Sequence, residues 1–216
     1  MTFRTRAIPV FALAAAVAGC SSEGELVVNQ GIGITSVLTS CPAVGVPDYT
    51  GNVTSFRNAG DVTAANLDIT ASITNLRSTC DDTNERIYSE ASFDVRARRS
   101  DVNGARNVTL PYFVTVLQGG SVVLTKRVGE VTLSFADGQE RAVASGRAGS
   151  FVDRAAATLP EDIRERITRR RRAGDPDAAL DPLSAPEVRA AIQRTRFEML
   201  VGFQLTEEQL AYNATR

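Results

Sequence analysis

Residues 85–98 read Glu-Arg-Ile-Tyr-Ser-Glu-Ala-Ser-Phe-Asp-Val-Arg-Ala-Arg. Ile87, Ala91, Phe93, Val95 and Ala97 fall on one side of a two-residue repeat, and Arg86, Tyr88, Glu90, Asp94, Arg96 and Arg98 on the other. Successive side chains of a strand point to opposite faces, so this period predicts an antiparallel strand with one face buried and one solvated. The alternation extends both ways. Leu67, Ile69, Ala71 and Ile73 repeat it upstream, and Val108, Leu110, Tyr112, Val114 and Val116 repeat it downstream. Pro111 lies inside that downstream strand; lacking an amide hydrogen, it predicts a sheet edge or a bulge there. Gly119-Gly120, before Val122-Val123-Leu124, and Asp137-Gly138, between Val131–Phe135 and Arg141–Ala144, are two-residue hairpin signals.

Segments near 32–39, 51–57, 66–76, 85–98, 107–117, 121–128, 129–136 and 139–147 give seven or eight strands. This spacing predicts a mainly β (α+β) chain, with an immunoglobulin-like antiparallel β-sandwich over residues 31–153. There is no Trp, and Cys41 and Cys80 are not placed like an antibody-type pin between sheets, so the likeness is one of architecture and carries no function. After Phe151 the period lengthens. Thr158-Leu159-Pro160-Glu161 and Ser184-Ala185-Pro186-Glu187 both have capping-box spacing. They predict a helix running to about Arg172 and ended by Gly174, then a second helix with Leu183 and Val188 as its staple. Phe197, Met199, Val201, Phe203 and Leu205 alternate again as a returning strand, and Thr206-Glu207-Glu208-Gln209 starts a last short helix. Residues 154–216 are thus expected to pack on the same core, because roughly 60 residues make a marginal core alone.

The full chain has 216 residues, with 24 Lys+Arg against 25 Asp+Glu and no His. The near-neutral balance excludes a broadly basic nucleic-acid binder. The missing histidine excludes Ser-His-Asp and Cys-His nucleophilic sites and any His-ligated zinc or copper centre. No cofactor or metal is expected. Asp175, Asp177 and Asp181 have the first spacings of a calcium loop, but the glycine pivot is absent and Glu187 falls one place beyond the twelfth position. Paired carboxylates hydrolyse glycosides without histidine, which leaves a carboxylate-dependent hydrolase as the last alternative.

At the N-terminus, Arg4 and Arg6 precede an apolar run from Ala7 to Ala18 that is too short to span a bilayer and ends in Val17-Ala18-Gly19-Cys20. This resembles the lipobox of bacterial lipoprotein precursors. The resemblance implies a signal peptide at 1–19, a diacylglyceryl thioether on Cys20, and a short lipidated tether over 20–30. Ser21 after the cysteine implies, by the same resemblance, sorting to the outer membrane, with the domain facing the periplasm or cell surface. A membrane helix, or a signal cleaved elsewhere with Cys20 free, is the competing reading. Two or three acyl chains, at about 0.8 kcal/mol per buried CH₂, make a stable anchor where one does not. Loss of residues 1–19 removes two arginines and no acid, leaving a net charge of −3. In an oxidising envelope the remaining pair, Cys41 and Cys80, predicts a disulfide, worth about 4 kcal/mol by chain entropy for a loop of about 40 residues.

The cations comprise 23 Arg and a single Lys, Lys126. Arg164, Arg166, Arg169, Arg170, Arg171 and Arg172 crowd one predicted helix. One reading is a solvated, dipole-matched helix, with Glu161 and Asp162 at its start and Asp162–Arg166 and Glu165–Arg169 as i,i+4 pairs. The other is a patch for anionic envelope lipid or polymer. The function expected from the sequence is therefore a membrane-tethered, non-catalytic structural or accessory module that binds an envelope protein through a sheet edge or helix surface. Binding of anionic lipid or polymer by the arginine-rich helix is the alternative. Nucleic acid is not an expected partner.

Overall fold

Along β4 (Arg86–Arg99) burial alternates residue by residue, with Ile87, Ala91, Phe93, Val95 and Ala97 turned inward and Arg96 and Arg98 in solvent. The computed structural model describes residues 39–58, 60–169, 174–176 and 180–215. Before β4 come β1 (Ala43–Gly45), β2 (Asn52–Phe56) and β3 (Leu67–Asp81). After it come β5 (Arg106–Gln118), β6 (Val122–Phe135), β7 (Arg141–Asp153), α1 (Arg154–Ala157), α2 (Glu161–Thr168), α3 (Pro186–Thr195), β8 (Phe197–Phe203) and α4 (Glu207–Ala214).

Two four-stranded sheets form, ordered β1-β8-β5-β6 and β2-β3-β4-β7. Among the described strands, only β1 and β8 pair in parallel. The inner faces share one core, in which Ile69, Ile87, Phe93 and Val95 of one sheet meet Leu133, Phe135, Met199, Val201 and Phe203 of the other. Phe93 lies over Gly146, where any Cβ would collide with its ring, and packs edge-on against Tyr112 across the sheets at 5.1 Å. This is the expected β-sandwich with C-terminal helices and a returning strand. The strand order is its own: β2, β3 and β4 lie side by side, whereas an immunoglobulin domain sends its third strand to the opposite sheet.

Several local expectations are corrected. Pro111 sits on an inner strand, because β5 pairs with β6 along its length and with β8 from Tyr112 to Gln118. It lies one residue past the last β8 pair and accepts the Gln204 amide at 2.9 Å, so its missing donor falls where that ladder ends. Segments 121–128 and 129–136 form one strand, β6. Gly119-Gly120 does close a hairpin, with Gln118 opposite Val122. Asp137-Gly138 instead turns the chain from one sheet to the other. Segment 32–38 lies outside the described residues, and the first described strand is β1.

Two expected capping boxes do not form. The Thr158 hydroxyl donates to the Arg154 carbonyl at 2.7 Å, and the Ser184 hydroxyl to the Asp181 carbonyl at 2.7 Å. In both sequences a proline follows two residues later, and a residue before proline is kept out of the helical region. Ala185 is accordingly extended (φ −66°, ψ 128°), so α3 starts at Pro186. Helix α2 starts at Glu161 and ends at Thr168, short of the expected Arg172. The third box, with no proline, forms both bonds between Thr206 and Gln209, at 3.2 and 3.0 Å. Helix α4 then covers the β2 edge, with Tyr212 edge-on to Phe56 at 5.4 Å.

One end of the sandwich is closed by arginines. Arg99 is 1% exposed and donates Nε to Gln139, Nη1 to Gly104 and Nη2 to both Val102 and Ala136, each a backbone carbonyl at 2.7–2.8 Å. Four carbonyls and the Phe135 ring, 5.3 Å from its guanidinium carbon, replace its water shell. The β4–β5 and β6–β7 loops are thereby tied together. Beside them Arg106 of β5 grips Asp68 of β3 with two bonds, at 2.6 and 2.7 Å, and joins the sheets. These hydrogen bonds hold the Asp68 carboxyl below its usual range.

Candidate functional site

Cys41 and Cys80 are disulfide-bonded, 39 residues apart, with Cα atoms at 6.1 Å. The bond ties the run into β1 to the end of β3, and so joins strands of opposite sheets. A Ser40–Asp82 hydrogen bond at 3.2 Å lies alongside. Cys20 and the lipobox-like run that precedes it lie outside the described residues.

The arginine-rich segment is divided. Arg164 pairs with Glu161 one turn back, and Arg166 reaches across to Glu187 of α3 at 2.8 Å. Arg169 is extended at the end of α2, and its amide donates to the Glu165 carbonyl at 2.9 Å. Arg170, Arg171 and Arg172 lie outside the described residues. The Leu159, Ile163 and Ile167 stripe packs on Val188, Ala191 and Ile192 of α3, forming a satellite core apart from the sandwich. Asp181 caps a short turn through the Leu183 amide; Asp177 lies outside the described residues.

Sequence reading did not find the two surfaces that stand out in the fold. The first is the β6 edge. Sheet edges present unpaired amides and carbonyls, and proteins usually shorten or cover them. β1 has three residues, and β2 has five under α4. β6 has fourteen. From Val122 to Val128 every residue is exposed, although four of them are large and apolar: Val122, Val123, Leu124 and Val128. Lys126, the chain's only lysine, lies here with its ammonium 5.2 Å from the Phe113 ring centre. The apolar character continues onto the outer face of this sheet, where Val128 pairs with Phe113, and Leu200 lies beside Thr115.

The second is the outer face of β2-β3-β4-β7, which is polar. Thr70 lies opposite Arg98, Ser72 opposite Arg96, and Arg98 opposite Arg141. Two shallow depressions open on this face, and neither has an Asp or Glu in its wall. The β4 arginines were legible as an outward row. That Arg141 stands beside them depends on the β4–β7 pairing, which no local pattern announces. No protein family, no curated protein and no solved structure matches the chain.

Proposed function

We propose that the chain is a lipoprotein anchored in the outer membrane through Cys20, facing the periplasm or cell surface, and serving as a non-catalytic accessory module for another envelope protein. The open β6 edge carries this reading. A partner strand laid along Val122–Val128 satisfies the edge's backbone groups, and alternating side chains supply selectivity. Lys126 and Arg127 sit among apolar residues, so the matching segment is extended, apolar and carries a carboxylate. The disulfide supports an oxidising compartment, the setting that the lipobox resemblance implies.

The test pairs two variants. Leu124→Glu with Val128→Glu alters exposed side chains and is expected to leave stability within about 0.5 kcal/mol, yet to abolish co-isolation of the envelope partner. Retained co-isolation with an intact fold would reject the edge. Cys20→Ala is expected to yield an unacylated protein released from membranes, and normal lipidation of that variant would reject the anchor.

A further inference from the structure

The outer face of β2-β3-β4-β7 has a feature that edge docking does not use. Its two depressions adjoin at Thr70 and Ser72, which line both, and are taken together as one trough across the strands. One arm passes Asn52 to Tyr49 and Asn213; the other passes Arg96 and Arg98 to Arg141. With strands about 4.8 Å apart, the path from β2 to β7 covers about 14 Å.

The β4–β7 arm concentrates cations at a cost. Arg98 and Arg141 are directly opposed in the ladder, and Arg96 projects from the same face two residues along. Opposed like charges weaken strand pairing. Glu140 engages Arg98 through Nε at 2.7 Å and Nη2 at 2.6 Å. Among the described acidic residues, none forms an ion pair with Arg96 or Arg141. Asp94, on the same face, is occupied by Asn75 at 3.0 Å and Ser145 at 2.9 Å. Asp94 acts on Arg96 only through space, so two exposed guanidinium groups stand beside a third with no carboxylate in direct contact among the described residues.

The other arm ends in an aromatic ring on a constrained loop. Tyr49 is 56% exposed and has φ of 65°, a left-handed conformation that bulky residues rarely adopt. Asn213 of α4 donates to the carbonyls of Tyr49 and Asn52 at 2.7 and 2.8 Å, and Thr50 donates its hydroxyl to the Pro47 carbonyl at 2.9 Å. These bonds hold the loop in place. Between ring and arginines lie the Thr70 hydroxyl and the Asn52 and Ser72 side chains. The Ser72 hydroxyl donates to Asn52 Oδ1 at 2.7 Å, leaving the Asn52 Nδ2 donors and the Ser72 oxygen as acceptor for a ligand.

We propose that this trough binds an anionic glycan chain. A sugar ring stacks on Tyr49, sugar hydroxyls exchange hydrogen bonds with Asn52, Thr70 and Ser72, and acidic substituents are held by Arg96, Arg98 and Arg141. Forked guanidinium groups suit carboxylate and phosphate alike. A flat lipid surface would engage the cations while leaving the recessed hydroxyls and the distant ring unused, which favours the glycan.

The experiment measures binding of the full-length chain in detergent to an oligogalacturonate, with neutral dextran, inorganic phosphate and phosphatidylglycerol vesicles as comparison probes. Oligogalacturonate is expected to bind, at least tenfold more weakly to Arg96→Gln/Arg141→Gln and about threefold more weakly to Tyr49→Gly, which removes the ring and relieves the backbone. Thermal melts of both variants should fall no lower than the parent's, confirming that the fold persists. Absence of oligogalacturonate binding would overturn the proposal. So would equal binding of dextran, full competition by phosphate at the same concentration of anionic groups, or vesicle binding that survives Tyr49→Gly while carrying all the arginine dependence. Leu124→Glu/Val128→Glu should leave glycan binding unchanged, so failure of the trough and failure of the β6 edge are read separately.

Discussion

Arg98 and Arg99 are neighbours in the chain and opposites in the fold. The Arg98 side chain is 65% exposed and shares one carboxylate, Glu140, at a sheet surface; Arg99 is 1% exposed and organises two loops through four carbonyls. One step along a strand reverses the side chain, so the same residue type becomes a surface cation or an internal pin. Charge alone therefore separates nothing in a chain with 23 arginines; direction does. The two outer sheet faces repeat the lesson. One carries an apolar stretch at Phe113, Val128 and Leu200 beside an open edge, the other is hydroxyl- and arginine-lined around Thr70, Ser72, Arg96 and Arg98, and both enclose the same core.

Removing the internal pin should have the largest effect. Arg99→Met leaves carbonyls of two loops without donors, and a loss of about 3–5 kcal/mol in chemical unfolding is expected. A loss below 1 kcal/mol would mean that water replaces the guanidinium at no cost. Next comes the disulfide. Cys41→Ser/Cys80→Ser should cost about 2–4 kcal/mol, and the parent's two thiols should resist alkylation until a reductant is added. Ready labelling of the oxidised protein would contradict the bond.

Asp68→Asn tests the arginine between the two extremes, Arg106, whose side chain is 43% exposed. Allowing for solvent screening, about 1 kcal/mol is expected at neutral pH. Because the Asp68 carboxyl is held below its ordinary value in the fold, its contribution is complete above that ordinary value. The gap between parent and variant should then close as pH falls from there through the lowered folded value. A gap that widens with acid would reverse the sign and reject the assignment. The smallest effect belongs to the surface: Arg96→Gln/Arg141→Gln should change stability by no more than about 0.5 kcal/mol, toward stabilisation, since opposed like charges are relieved.

How much of this was legible follows from range. β4, β8 and the Thr206 cap are written locally, by a two-residue period and by a hydroxyl three places before a glutamine. Arg99 lies one step beyond the stretch read from the sequence, on the inward face with Val95 and Ala97, and its meaning needed the carbonyls of Val102, Gly104, Ala136 and Gln139, which only the closed fold assembles. The two failed caps were avoidable, since Pro160 and Pro186 bar the preceding residues from the helix. Pro111 misled because a ladder's end satisfies a proline as well as a sheet's edge does. The open β6 edge and the Arg98–Arg141 pair arise from strand order, a long-range property with no local mark.

The central claim is that the β6 edge is where another protein docks. A photoreactive residue placed at Val123, with a second at Leu183 on the helical side as control, measures this inside the cell. The account predicts a discrete adduct of one size from position 123 and none from position 183. No adduct at 123, or the same set of adducts from both positions, would contradict it.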